Sequence, residues 1–498
     1  MRFIYFISVF VVATCGLVYE LVAGALASYL LGDSVTQFST IIGCYLFAMG
    51  VGSYLSKYIN KNLVHFFIKV EILIGLVGGL SATILFLLFD HVSSFRLILY
   101  SIVFVVGMLV GIEIPLIMRI LKNELEFKDL VSKIFSFDNL GALFASLLFP
   151  LVLVPHLGLI RTALLFGILN VAVAFLTLIY FRNKYNWSKS LMSVSMASML
   201  LLIVAFVLGN KLTDWTENMS YGDKVVYSHS TPYQKILLTQ SGHEMKLFLN
   251  GNLQFSSKDE YRYHESLVHP GLASLKEPKK VLIFGGGDGL AAREVLKYPS
   301  IEKIMLVDLD KKMTELFSEN EFLNKLNDKA LLSPKLQVYN QDAFIWVKDH
   351  KDTYDFIIVD FPDPSNFSLG KLYSITFYNH INSLLAPEGL AVIQSTSPYV
   401  ARKSFWCINK TLNFAGLVTH PYHTYVPSFG EWGYILATKS NYRIPQVLPE
   451  NLKFLTLETL PSYFKFPSDM SEIEVDINRL NNQNLVKYFE EEWSVYTQ

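Results

Sequence analysis

Cysteine is scarce: the 498 residues hold only Cys15, Cys44 and Cys407, far apart along the chain. With no paired spacing they suggest neither a disulfide framework nor a zinc site, and they leave the redox compartment open. Neither sign of charge is in excess. With 42 Lys and Arg against 43 Asp and Glu, the net charge of -1 gives no reason to expect nucleic acid as a partner. The amino terminus also lacks a credible signal-cleavage site, because its first apolar run is too long for a signal peptide and leads directly into further runs. What the chain has in quantity is apolar surface: 52% hydrophobic residues and a mean hydropathy of +0.34. That is too much for an ordinary soluble protein of this size, and it predicts a membrane portion.

Seven apolar runs, 3–31, 35–56, 66–89, 95–121, 134–155, 158–181 and 191–209, are each long enough to cross a bilayer as a helix. They predict an α-helical transmembrane bundle over 1–210. Small residues recur within them (Gly43, Gly50, Gly52; Gly75, Gly78, Gly79; Gly107, Gly111), which lets helices approach closely. Lys57, Lys61, Lys69, Arg119, Lys122, Lys128, Lys133, Arg182, Lys184 and Lys189 fall in alternate connections, and only Arg96 and Arg161 in the others. This bias predicts an amino terminus in the cytoplasm. Seven spans then favour the outer face of the cytoplasmic membrane for the carboxyl-terminal half, whereas a re-entrant segment in one of the broad runs 3–31 or 95–121 would make the count even and leave that half in the cytoplasm. Glu20, Glu113 and Asp138 lie inside runs, where an ionisable group is expensive. Facing inward they could guide a cationic amine; equally, they could neutralise Lys or Arg near helix ends or bond neighbouring helices while protonated.

The pattern changes after residue 210. Short alternating runs over 215–278 predict a small β-rich lid, with Asn250-Gly251 a two-residue hairpin signal. Gln234, Gln254, Asp259, Glu260, Tyr263, His264 and Glu265 form a dense polar set in and just after it, a set that a solvated surface would also produce. Residues 279–440 alternate strands with helices, and 441–498 form a tail.

The stretch from Val281 to Asp310, VLIFGGGDGLAAREVLKYPSIEKIMLVDLD, organises this half. An apolar run enters the glycines Gly285, Gly286, Gly287 and Gly289, helix formers follow, and a second apolar run ends on Asp308. This reads as a nucleotide-binding βαβ crossover, with an acid placed to accept from ribose hydroxyls. Asp288 within the loop would repel pyrophosphate. It would attract the propylammonium of decarboxylated S-adenosylmethionine, whose tail has no carboxylate.

Further strands read as KLQVYN, YDFIIVD, GLAVIQS, LVTHPY and WGYILAT. Together they predict an α/β doubly wound, methyltransferase-like Rossmann sheet. Asp288, Asp308, Asp342, Asp360 and Asp363 fall at strand ends, where such sheets bind ligands. Converging acids are costly without cations, and a polyamine supplies them.

The ordered motifs Tyr233-Gln234, NGNLQ from Asn250, DEYRYHE from Asp259, FGGGDG from Phe284, VDLD from Val307, QDAF from Gln341 and DFPDP from Asp360 resemble those of the spermidine synthases, or polyamine aminopropyltransferases. CGLVYEL, NFSLGKLYS, VPSFGEWGY and NRLNNQNLVKYFEEEW resemble the bacterial branch fused to a membrane domain. The resemblance runs from about Tyr221 to Lys439. It implies Asp360 as proton acceptor, His264, Asp288 and Asp363 at the amine, and Gln234, Gly285, Gly287, Asp308, Asp342 and Ala343 around the methylthioadenosine part. It also implies putrescine or a related polyamine as partner, decarboxylated S-adenosylmethionine as co-substrate, no permanently bound cofactor and no metal; a homo-oligomer is compatible with it. Asp308 stands where the soluble enzymes carry glutamate, Ala343 where they carry glycine, Asn250 where they carry aspartate, and Phe361-Pro362 where they carry a small polar pair. An extra residue near Tyr425, Val426, Pro427 and Ser428 leaves the family's late tyrosine unassigned. Two other readings stay open: an S-adenosylmethionine-dependent methyltransferase, against which Asp288 counts, and a membrane polyamine sensor or transporter with a non-catalytic domain.

Overall fold

A computed structural model describes residues 2–31, 34–89, 92, 94–122, 126–181, 189–209 and 222–495. Arg182, Lys184, residue 215 at the start of the β-rich stretch and Tyr221 at the start of the resemblance lie outside the described residues. The chain divides into two compact units, Met1–Val225 and Val226–Gln498.

The first unit is helical: α1 Arg2–Leu31, α2 Ser34–Leu55, α3 Leu63–Phe89, α4 Phe95–Leu121, α5 Phe127–Leu148, α6 Val154–Tyr180 and α7 Lys189–Val207. Six helical stretches among the described residues are long and apolar enough to cross a membrane, where the sequence alone counts seven runs. The difference lies in Phe127–Tyr180, 54 residues of helical backbone holding both 134–155 and 158–181. No polar loop separates these runs. A π-helical turn at Phe149–Leu153 and a non-helical Gly158 (φ 70°, ψ 178°) join them instead. At 1.5 Å per residue the stretch is about 80 Å long, more than twice a hydrocarbon core of about 30 Å.

Helices α2 and α4 meet backbone to backbone. A Cβ on Gly52 would sit 1.9 Å from the Met108 carbonyl oxygen, and one on Gly111 2.1 Å from that of Met49. Gly43 and Gly50, expected to do the same, face open space. Glu20 and Glu113 are buried and Asp138 is half-buried. The sequence reading passed over Glu71 on α3, fully buried within hydrogen-bond reach of Glu113. Asn170 Nδ2 donates to Glu71 Oε2 at 2.8 Å, and the Tyr19 hydroxyl donates to Asn170 Oδ1 at 3.2 Å. The carboxyl neighbouring Glu113 is thus Glu71 on α3, and no ion pair to a Lys or Arg is formed by Glu113 among the described residues.

The second unit opens with a four-stranded sheet in the order β1 Lys224–Ser230, β2 Lys235–Ser241, β3 Glu244–Leu249, β4 Asn252–Ser256. Asn250 (φ 50°) and Gly251 (φ 84°) turn the β3–β4 hairpin, as the Asn-Gly pair predicts. Helix α8, Glu260–Leu272, leads into a seven-stranded sheet of β5 Lys280–Gly285, β6 Lys303–Asp308, β7 Leu336–Asn340, β8 Tyr354–Asp360, β9 Leu385–Gln394, β10 Val418–Val426 and β11 Gly430–Thr438. Its order is β10-β11-β9-β8-β5-β6-β7. Strands β5 to β9 run parallel, while β11 pairs antiparallel with both β9 and β10. Along β5, Val281 and Ile283 pack into one core layer, Leu282 and Phe284 into the other. Burial on both faces is why this strand reads as an unbroken apolar run.

Chain order reverses at β5, whose neighbours are β6 and β8, so the crevice beyond their carboxyl ends is the topological switch point. The tail packs into this unit. Glu265 on α8 accepts from the N–H groups of Lys453, Phe454 and Leu455 at 2.7–2.9 Å. Glu492 accepts from the Lys403 and Ser404 N–H groups at 2.6 and 3.1 Å, capping the helix Arg402–Phe414.

Candidate active site

At the switch point β5 ends on Gly285 (φ 76°) and Gly286 (φ 62°), a left-handed turn that favours glycine. A Cβ on Gly285 would stand 2.2 Å from the Asp360 carbonyl oxygen, so β5 and β8 meet here only because that side chain is missing. The Gly287 N–H donates to Asp308 Oδ2 at 3.0 Å, and the Asp310 N–H to Asp308 Oδ1 at 2.9 Å. The β6 carboxylate is thereby fixed under the glycine loop. Asp288 Oδ1 accepts from the Leu290 N–H at 2.9 Å, ahead of the short helix α9, Leu290–Val295.

Asp360, the last residue of β8, accepts from the Tyr263 hydroxyl at 2.5 Å. Asp363 accepts from Gln394 Nε2 at 3.1 Å and from the Thr396 hydroxyl at 3.3 Å. Gln394 also donates to the Phe361 carbonyl at 2.7 Å, tying the end of β9 to the loop after β8. Thr396 adopts φ 56°, a strained conformation for a β-branched residue and the kind that collects at functional sites.

The His264 Nδ1 lies 2.8 Å from the Glu260 carbonyl and 3.0 Å from Glu260 Oε2. Burial pushes the imidazole pKa down, but the bond to Glu260 and the carboxylates of Glu260, Asp288 and Asp360 outweigh it and leave the pKa raised. The acids are shifted too. Burial lifts Asp360 to about 6, against the opposing charge of His264. It lifts Asp363 to about 6 despite Gln394 and Thr396, and Asp308 to about 6 despite the two backbone donors. Asp288 is also raised, first by burial, with His264 and the Leu290 N–H pulling it back. Four carboxylates that titrate reluctantly and face one crevice form a site whose charge a small cation would relieve.

Of the residues singled out in the sequence, Gly285, Gly287, Asp288, Asp308, Asp360, Asp363 and His264 come together here. Gln234 donates through Nε2 to Asp310 Oδ2 at 3.1 Å, which ties the small sheet to the end of β6. Asp342 caps the helix Ala343–Asp349 through the Phe344 N–H, and its Oδ2 lies 2.7 Å from Lys371 Nζ; Ala343 is buried beside it. Other members of the dense polar set turn elsewhere. Gln254 donates to the Asn252 carbonyl on its own strand, Glu265 holds the tail, and Asp259 accepts from the Ser428 N–H and hydroxyl at 2.7 and 3.0 Å. The Tyr425 ring is 54% exposed. The sequence reading missed the roles of Tyr263, Asp310, Gln394 and Thr396. Gln394 could have been found as the polar residue closing the apolar run of β9, but nothing in the sequence marks the backbone of Thr396.

Fold and site together define a class: a methyltransferase-like doubly wound domain with an acid-lined crevice at its switch point. Residues 260–448 match the spermine/spermidine synthase domain. Over 489 residues, 98% of each chain, the protein is 50% identical to a polyamine aminopropyltransferase of Leptospira interrogans serogroup Icterohaemorrhagiae serovar copenhageni. Over 496 residues it is 52% identical to polyamine aminopropyltransferase 2 of Ralstonia nicotianae, covering 98% of this chain and 97% of that one. The spermidine synthase structure from Thermotoga maritima aligns with a TM-score of 0.44 at 25% identity, covering 49% of this chain and 84% of that one. The chain belongs to the polyamine aminopropyltransferase family, and it is a transferase. These relatives carry that name over nearly the full length, helical half included, and lend no support to the methyltransferase or sensor readings.

Proposed function

We propose that the protein transfers the aminopropyl group of decarboxylated S-adenosylmethionine to putrescine, giving spermidine and methylthioadenosine. The observation that carries this reading is the group of four half-buried carboxylates, Asp288, Asp308, Asp360 and Asp363, with raised pKa values around one switch point. Asp308 takes the ribose hydroxyls, the glycine turn lets the backbone approach the nucleoside, and Gln234, Asp342 and Ala343 border the methylthioadenosine part. Asp288 attracts the propylammonium. His264, Asp288 and Asp363 position the diamine.

A primary ammonium titrates near ~10, so the attacking nitrogen must first lose a proton. Asp360 accepts it, with a pKa of about 6 that keeps it ionised at neutral pH yet basic enough to act. The freed lone pair forms the new C–N bond as the C–S bond breaks, and the bonding pair returns to sulfur. The product amine keeps the positive charge that the sulfonium gives up. Expressing the chain in bacteria that lack their own aminopropyltransferase tests this: cellular spermidine should reappear with the wild-type chain and stay absent with Asp360→Asn.

The apolar helices cross the cytoplasmic membrane in this reading. With the long Phe127–Tyr180 stretch crossing twice, the crossings are odd in number. The lysine and arginine bias then puts the catalytic unit on the outer face.

A further inference from the structure

Behind the crevice, ion pairs centred on Arg293 join Glu260 and Glu294, and through them the imidazoles of His264 and His269. Arg293 on α9 grips Glu260 with both arms of its guanidinium, Nη1 to Oε1 at 2.8 Å and Nη2 to Oε2 at 2.9 Å. Its Nε donates to Glu294 Oε1 at 2.8 Å, so it remains charged. All three side chains are buried. Desolvation alone would neutralise Glu260, yet the bonds from His264 and Arg293 overcome it and hold its pKa down to about 2. A permanent carboxylate therefore stands under the Nδ1 edge of His264.

We propose that Glu260, fixed by Arg293, is a positioning residue for aminopropyl transfer: it holds the Nδ1–H of His264 so that Nε2 is presented to the diamine as a hydrogen-bond acceptor. This deepens the aminopropyltransferase reading and rests on it. The charged and titratable groups around the ring are Glu260 on its own helix, Arg293 on α9, Asp288 in the loop after β5 and Asp360 at the end of β8. The Tyr263 ring packs edge-on, with centroids 5.0 Å apart. In the empty site the acids favour a proton on the imidazole. An arriving ammonium takes over that role, because its charge compensates Asp288 and Asp360 and its N–H needs an acceptor. Nδ1 cannot turn to the crevice without breaking two hydrogen bonds to Glu260. This is the same logic by which a buried carboxylate sets the tautomer of a catalytic histidine.

A double-mutant cycle on the purified full-length chain tests the inference, with kcat/KM for putrescine followed against pH. Glu260→Gln should lower kcat/KM about tenfold, as expected for residues in direct contact, and shift its acid limb to lower pH, because the imidazole loses the carboxylate that raised it. In a His264→Gln background, Glu260→Gln should add nothing further. Methylthioadenosine binding serves as the folding control. If Glu260→Gln fails that control, Arg293→Lys, which keeps the charge but loses the two-armed grip, takes its place in the cycle. Additive losses, or an unmoved acid limb, would overturn the positioning role. A wild-type chain that makes no spermidine would instead overturn the reading beneath it.

Discussion

The Tyr263 hydroxyl donates to Asp360 Oδ1 at 2.5 Å, linking helix α8 to the last residue of strand β8. That bond holds one oxygen of the proposed proton acceptor and leaves Oδ2 for the substrate; a Cβ on Gly286 would lie 3.7 Å from Oδ2. Asp360→Asn preserves size and the bond from Tyr263 while removing the basic oxygen. Turnover should fall by about 10²–10⁴, the range that general acid–base groups contribute. Methylthioadenosine affinity should stay within about threefold, measured by calorimetry.

Asp288 should decide which co-substrate is accepted. Wild-type protein should bind decarboxylated S-adenosylmethionine well and intact S-adenosylmethionine poorly, because the second brings a carboxylate against the half-buried carboxylate of Asp288. Asp288→Asn should narrow the gap from both sides. Competition against labelled methylthioadenosine measures it, and equal affinity of the wild type for both compounds would contradict the assignment.

The raised acids carry a pH signature. Asp308, Asp360 and Asp363 each sit at about 6, above the ordinary aspartate value near ~3.9. They bind protons more tightly folded than unfolded. Their contribution to stability is therefore complete below the unfolded pKa and is lost as pH rises through about 6. A bound diamine compensates the charges that then appear. The rise in Tm on adding putrescine should accordingly be larger at pH 8 than at pH 5, read by thermal unfolding of the full-length chain.

Thr396 holds Asp363 from a strained backbone, and its hydroxyl is the useful part. Thr396→Val keeps the branched shape and removes that donor. KM for putrescine should rise about three- to tenfold, the scale of one hydrogen bond to a charged group, with KM for the nucleoside co-substrate unchanged. Steady-state kinetics with each substrate varied in turn separates the two.

Sidedness has its own test. Alkaline phosphatase fused after Gln498 should be active and a green fluorescent fusion dim if the catalytic unit lies outside the cytoplasm. The opposite pattern would mean an even number of crossings.

Legibility followed sequence distance. The glycine turn, Asp288, the strand-end acids and the Asn250-Gly251 hairpin are local signals, and the fold placed each where its motif pointed. Contacts between distant residues left no such trace. Glu71 is one acid in an apolar run until α3, α4 and α6 bring it to Glu113 and Asn170. Glu260 looks like surface charge until Arg293, 33 residues on, folds against it. Thr396 shows how strain hides, since a left-handed backbone is usually advertised by glycine or asparagine. The runs 134–155 and 158–181 were legible as two, but not how they join: the sequence expects a polar loop between them, whereas a π-helical turn at Phe149–Leu153 and a kink at the non-helical Gly158 connect them.

The central claim is aminopropyl transfer. Purified full-length protein mixed with putrescine and decarboxylated S-adenosylmethionine should yield spermidine and methylthioadenosine in equal amounts, quantified by mass spectrometry, and intact S-adenosylmethionine should yield neither. Methylthioadenosine without spermidine, or a methylated amine from intact S-adenosylmethionine, would contradict the account.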